Sequence, residues 1–317
     1  MITPDYINFK ILFRSDDKIG FFISTWIHNK LLFEKVYHLL SQLKVRYKRL
    51  YAFIIPWWHK DGLQHYELLS KFCCTTMLAN SMNDNIFYKK SGLNSIYCNQ
   101  NCWLDSNTYC INDTEKKYDL VINANNYQWK NHKLLANINK KYKTLFITYN
   151  TTENDLNQYN PCNIFNEVTN DHVATGLNQS KIGLALSTIE GSCYASTEYL
   201  LCGLPVISTK SVGGRHIWYN ENNSIIIDNS ESELEAAIRT MLSNIDKFNR
   251  QIIRTKCIEQ QNNFRNIFIK YAQKLLPTLD IKNIVNLEYS NKMLYHTKIE
   301  NLTLDYIMNY EICSTAK

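Results

Sequence analysis

Apolar residues fall along this chain as short unbroken runs, separated by longer stretches with helical spacing. Residues 19–25 (IGFFIST), 50–55 (LYAFII), Tyr118–Asn123, 143–149 (KTLFITY), 181–187 (KIGLALS) and Val206–Thr209 each read as a strand buried on both faces. Residues 26–43 place Leu31, Leu32, Val36, Leu39, Leu40 and Leu43 on one helical face, and residues 63–72, 167–179, 231–242 and 245–276 read as further helices. Ile86, Phe87 and the stretch Asn94–Tyr97 suggest short extra elements, 150–163 reads as a loop, and 224–228 as a short strand. Strands alternating with helices predict parallel sheets covered on both faces.

The most informative stretch is 181–228. A buried strand leads into a polar loop holding Glu190, and Ser192 is placed to cap a helix from Tyr194 to Cys202 that carries Glu198 on its second turn. Gly203 supplies a left-handed stop, Pro205 forbids continuation, and a second strand ends before the Gly213-Gly214 turn. This is one βαβ unit. A loop at a strand's carboxyl end that meets a helix N-terminus binds anions such as a diphosphate. Gly191 would let the backbone come close, with the helix-start N–H groups near Ser192 and Cys193 expected to point at the ligand. Glu198 is placed to accept hydrogen bonds from vicinal hydroxyls, as on a ribose, with Glu190 nearer a sugar. A plain βαβ unit with two solvent-facing acids is the competing reading.

The pattern of Glu190, Gly191, Glu198, Gly203, Pro205, Val206, Gly213 and Gly214 resembles the E-x7-E signature of retaining GT-B glycosyltransferases, family 4 in particular. The resemblance implies an α/β protein of the GT-B class, two Rossmann-like domains facing across a cleft with the donor held by the second. It implies an acceptor-side domain at 1–117, a donor domain at 118–276 and a tail at 277–317 that packs back on them. Such enzymes grip the donor diphosphate with an Arg and a Lys. Lys130 matches the Lys, whereas Asn125 stands where the Arg is expected, bringing a donor without charge, and Arg215 beside Gly214 is a candidate substitute. Lys130 and the helix start at Ser192 would stabilise the leaving diphosphate, Glu198 would hold the ribose and Glu190 the sugar. The segment around Asn101 and Asp105 resembles a family turn of Asn-Gly-x-Asp type, with Cys102 in place of the Gly.

Length and composition narrow the picture without changing it. The 317 residues suit two domains, and 45% hydrophobic content excludes a disordered chain. A net charge of +6 fits an anionic nucleotide sugar, and leaves room for an acidic acceptor or peripheral membrane contact. Nucleic acid is a weaker candidate partner, resting on the basic run at 44–49 (KVRYKR), which also suits a helix end. Ten cysteines show no Cys-x-x-Cys spacing, so free thiols in a cytoplasmic setting are expected, and no apolar run reaches bilayer length. There is no Asp-x-Asp, so no metal and no cofactor beyond the donor substrate is expected. His28 and His59 read as surface histidines or sugar contacts, and Trp57 and Trp58 as packing or a stacking platform. The acceptor stays open among glycan, lipid-linked sugar and other hydroxyls. A nucleotide-sugar epimerase of the same fold and a non-catalytic binding module are the alternatives.

Overall fold

The computed structural model describes residues 6–25, 30–56, 63–149, 151–277, 296–298 and 303–305. His28, Trp57, Trp58 and His59, and the side chains of Leu31 and Leu32, lie outside the described residues. The chain divides into two compact units, Met1–Trp103 with Asn263–Lys317, and Leu104–Asn262.

In the first unit β1 (Tyr6–Arg14) turns back into β2 (Lys18–Thr25) as an antiparallel pair. There follow α1 (Lys30–Arg46), β3 (Arg49–Pro56), α2 (Leu63–Ser70), β4 (Cys74–Ala79), α3 (Met82–Lys90) and β5 (Asn94–Tyr97). From β2 to β5 the strands are parallel and lie in sequence order. The expected helical face of α1 is the buried one, with Val36, Leu39, Leu40 and Leu43 against Ile54 and Met77 of the sheet. Each such aliphatic side chain removed from water stabilises the fold by roughly 1.5–3 kcal/mol.

The second unit holds β6 (Tyr118–Asn123), β7 (Thr144–Thr148), α4 (Glu153–Asn157), β8 (Asn163–Asn166), α5 (Asn170–Asn178), β9 (Ser180–Ala185), α6 (Tyr194–Leu201), β10 (Val206–Thr209), β11 (Ser224–Ile227) and α7 (Glu231–Ser243). Its six strands are all parallel, in the order β11-β10-β9-β6-β7-β8. The chain runs outward from β6 through β7 to β8, then returns to β9 and runs outward the other way. The sheet therefore has a topological switch point between β6 and β9, where the loops leaving the two strands part in opposite directions. The parallel strands of the first unit have no such reversal.

The long helix α8 (Arg250–Leu275) contains the second division of the chain, at Asn262/Asn263. Its early turns bind carbonyls of the second unit: Arg254 Nη1 donates to the oxygens of Tyr109 and Leu201, both at 2.5 Å, and Nη2 to that of Ser106 at 2.6 Å. Its later turns belong to the first, where Phe268 packs on Phe22, Phe53 and Trp103. The final described strand, β12 (His296–Lys298), pairs antiparallel with β1.

Several elements differ from the sequence expectation. The helix expected at Lys130 is a series of 3-10 turns at Gln128–Lys130, His132–Leu135 and Ile138–Lys140, because Asn131 takes a left-handed φ of 64° that an α-helix excludes. The stretch read as a loop after residue 150 contains α4, closed by a capping box between Thr152 and Asp155. Helix 245–276 is broken before Arg250, where Phe248 takes ψ 79°. The domain limits expected at 117 and 276 fall instead at 103 and 262, since residues 104–117 hydrogen-bond to the second unit: Asn112 N donates to Asn178 Oδ1 at 2.9 Å, and Lys116 Nζ donates to Asn178 and Ser180 carbonyls.

Strand β9 and helix α6 approach closely because Gly183 has no side chain: a Cβ there would meet the Tyr199 ring at 2.5 Å. The Tyr199 hydroxyl accepts from Asn123 N at 2.7 Å and donates to Leu184 O at 3.2 Å, which ties α6 to both β6 and β9. Replacing Gly183→Ala is therefore expected to destabilise the protein by roughly 1–3 kcal/mol through overpacking. Urea unfolding measures it, and an unchanged midpoint would show that the ring has slack.

Candidate functional site

Two loops leave the sheet at the switch point of the second unit. The first follows β6, and its 3-10 turn presents Lys130; Asn131 anchors that turn through its Nδ2, which donates to Leu186 O at 3.3 Å and also to Asn229 Oδ1. The second follows β9 and carries Glu190. Lys130 Nζ donates to both carboxylate oxygens of Glu190, at 2.7 and 2.8 Å. Burial alone would pull the Lys130 pKa down; the charge and hydrogen bonds of Glu190, with Cys193 and Tyr149 adding to them, outweigh it, so the ammonium is held charged above its usual range.

The Glu190 loop is stitched to the Gly213-Gly214 turn. Glu190 N donates to Val212 O at 3.0 Å, Val212 N to Thr188 O at 3.0 Å, and Gly214 N to Gly191 O at 2.5 Å. Gly213, with φ 133°, passes so close that a Cβ there would lie 1.5 Å from Glu190 O. Both glycines of the motif thus serve the placement of Glu190. Gly203 is left-handed, φ 70°, as the expected helix stop requires.

The helix start differs in one respect. Cys193, at φ 57° and ψ 85°, occupies the N-cap position of α6 expected for Ser192, while Ser192 is buried one residue earlier. A residue with a Cβ pays a steric cost in this conformation that glycine avoids.

Glu198 sits on α6 facing β6. Its Oε2 accepts from Asn123 Nδ2 at 2.6 Å, and it also hydrogen-bonds the side chain of Tyr109. Burial raises its pKa to about 7, and these two hydrogen bonds only partly counter the shift. Tyr109 and Asn123 belong to the site, although neither carries a sequence signal beyond its place at a strand end or in a polar loop.

Arg215 follows the Gly-Gly turn and is 1% exposed. Its Nη1 donates to Ser187 Oγ at 2.5 Å, and Nη2 to Thr209 O at 2.7 Å and Oγ1 at 3.1 Å. It therefore staples the ends of β9 and β10, and no carboxylate among the described residues pairs with it. The Arg215 charge helps depress the pKa of His216, after burial. His132, next to Asn131, is buried between Phe146 and Tyr159 and held neutral, its pKa pulled down to about 4 by burial and then by Lys130.

Asn125 is 4% exposed and reaches the Tyr149 hydroxyl with Nδ2 at 3.2 Å. The residues collected at the switch point are thus Asn125, Lys130, Glu190, Gly191, Ser192, Cys193, Glu198, Gly214 and Arg215. Asn101 and Asp105 are both buried, and Asp105 folds its carboxylate over its own turn onto Asn107 N and Thr108 Oγ1. The described cysteines are free thiols, and no described helix is long and apolar enough to cross a membrane.

Glu198 gives the site a pH signature. The folded carboxyl keeps its proton to higher pH than the unfolded one, so ionisation destabilises the fold increasingly from about pH 4.5 to about 7, by up to roughly 3 kcal/mol above that. Glu198→Gln, which keeps an acceptor for Asn123 and Tyr109, should raise stability at pH 8 and lose that gain towards pH 4. Urea melts across this range check it; a gain independent of pH would mean that Glu198 is not buried as an acid.

Residues 148–273 match the family model described as Glycosyl transferases group 1. No curated protein sequence matches the chain. Among solved structures, HepE (Alr3699) of Anabaena in complex with UDP-glucose is similar at 17% identity, over 76% of this chain and 81% of that one, with a TM-score of 0.57. Sucrose-phosphate synthase from Thermosynechococcus elongatus is similar at 11% identity over 77% and 78%, TM-score 0.59. A glycosyltransferase from Rickettsia africae is similar at 11% identity over 79% and 83%, TM-score 0.58. With two units each built on a largely parallel sheet, the chain has the GT-B fold.

Proposed function

We propose that this protein is a retaining, metal-independent glycosyltransferase of the family 4 type, moving a hexosyl or related sugar from a nucleotide diphosphate to an acceptor hydroxyl. The observation that carries the reading is the Lys130–Glu190 pair at the switch point of the second sheet, beside the N-terminus of α6. The match of residues 148–273 to Glycosyl transferases group 1 supports it, as does the likeness to HepE, which was solved with UDP-glucose.

In this reading the donor diphosphate competes with Glu190 for the Lys130 ammonium. Lys130 and the positive end of the α6 dipole then take up the charge that grows on the leaving phosphate. Glu190, released from its bidentate partner, accepts hydrogen bonds from the sugar hydroxyls. Glu198, oriented by Asn123 and Tyr109, accepts from the ribose with its remaining lone pairs. The acceptor is a glycan, a lipid-linked sugar or another hydroxyl compound, with the protein cytoplasmic and at most peripheral at a membrane. No Asp-x-Asp pair is present to hold a metal-bound diphosphate.

A thermal-shift and hydrolysis screen against UDP-, GDP- and ADP-sugars, with Lys130→Ala alongside, tests this. One nucleotide family should raise the melting temperature of the wild type, and Lys130→Ala should lose most of that shift. The product's anomeric configuration should match the donor's, and EDTA should leave turnover unchanged. An inverted product or loss of activity in EDTA would overturn the mechanism, and epimerised donor without acceptor would mark an epimerase instead.

A further inference from the structure

The diphosphate clamp that the sequence resembles has an arginine where this chain has Asn125, and the candidate substitute, Arg215, spends its Nη groups on Ser187 and Thr209. The structure shows what adjoins that position. Asn125 Nδ2 lies 3.2 Å from the Tyr149 hydroxyl, and Asn125 Oδ1 is buried without a hydrogen-bond partner. Tyr149 follows β7, the strand beside β6, so both residues lie at the carboxyl edge of the same sheet. Tyr149 is 46% exposed as a residue, while its hydroxyl lies within electrostatic reach of Lys130 and Glu190.

The hydrogen-bond inventory of this pair leaves a donor over. With Nδ2 donating to the hydroxyl, the phenolic hydrogen is unspent. With the amide turned over, Oδ1 accepts the phenolic hydrogen and the two amide hydrogens are unspent. The first arrangement, the one the structure holds, leaves the phenolic hydrogen of Tyr149 available near Lys130; the second would spend it on Asn125. Burial, partly countered by Lys130 and reinforced by Glu190, raises the Tyr149 pKa, so the phenol keeps its proton at neutral pH.

We propose that Tyr149, positioned by Asn125, donates a hydrogen bond to the diphosphate of the bound nucleotide sugar and so replaces the missing guanidinium with an uncharged contact. This rests on the donor-site reading above. A hydrogen bond to a charged oxygen is stronger than one between neutral groups, yet its loss removes no formal charge. Its removal and that of Lys130 therefore differ in their response to salt.

The experiment is calorimetric titration of the full chain with UDP, GDP and ADP, and with the matching nucleosides, at low and high salt. The proteins are wild type, Tyr149→Phe, Asn125→Asp and Lys130→Ala. For the diphosphate that binds wild type, Tyr149→Phe should weaken affinity about ten- to hundredfold, leaving nucleoside affinity and the salt slope unchanged. Asn125→Asp, whose carboxylate takes the phenolic hydrogen and repels the diphosphate, should weaken it further. Lys130→Ala should weaken it and flatten the salt slope. If Tyr149→Phe binds like wild type while Lys130→Ala is weakened, the Tyr149 contact is wrong and the donor site stands. If Tyr149→Phe weakens nucleoside and diphosphate alike, the residue shapes the fold rather than touching phosphate. If no diphosphate binds wild type, the donor-site reading falls and takes this contact with it.

Discussion

Lys130 and Glu190 are 60 residues apart and meet because β6 and β9 are neighbours in a sheet whose order reverses between them. That reversal is the constraint on which the rest of the second unit depends. In a parallel sheet adjacent loops usually pack over their own strands, and a gap opens only where the chain changes direction. One side of this gap is a 3-10 turn ending in Lys130, fixed by the left-handed Asn131. The other is the Glu190 loop, fixed by the Gly213 approach. Two backbone irregularities thus set the geometry of one ion pair.

Helix α6 carries a second polar group that is costly to bury. Glu198 is enclosed by β6 and α6, and the fold tolerates it because Asn123 and Tyr109 hydrogen-bond to it. Tyr199, one residue on, joins the backbone of β6 to that of β9, and Arg215 joins the ends of β9 and β10. Three polar side chains therefore lock the strands whose loops build the site. The hydrogen bonds of Glu198, of the Tyr199 hydroxyl and of both Arg215 Nη groups hold these polar side chains under a functional edge.

Much of this was legible in the sequence where periodicity or glycine chemistry dictates a single outcome. The strand at Tyr118–Asn123, the strands on either side of α6, the buried face of α1 and the stop at Gly203 follow from local pattern alone. Strand β4 was hidden because Cys74, Thr75 and Thr76 interrupt its apolar run, and β8 because its sequence, NIFN, is polar at both ends. The 3-10 series at Lys130 was hidden because helical spacing of Leu134, Leu135 and Ile138 does not reveal a left-handed Asn131. Among site residues, Glu190, Glu198 and Lys130 carry motif signals. Tyr109, Asn123 and Tyr149 do not, since each acquires its place only through pairings distant in sequence.

The first unit is discontinuous along the chain. Its sheet receives β12 beside β1, and its core receives Phe268 from the far half of α8, after the whole of Leu104–Asn262 has intervened. During synthesis the second unit has all its strands and helices up to Asn262 in hand before the first has gained the residues that cover it. The ribosome thus delivers the second unit complete and the first still open, with Phe22, Phe53 and Trp103 awaiting a partner helix. A chain interrupted within α8 would leave a nearly whole second unit joined to a first unit without the Phe268 contact on Phe22, Phe53 and Trp103.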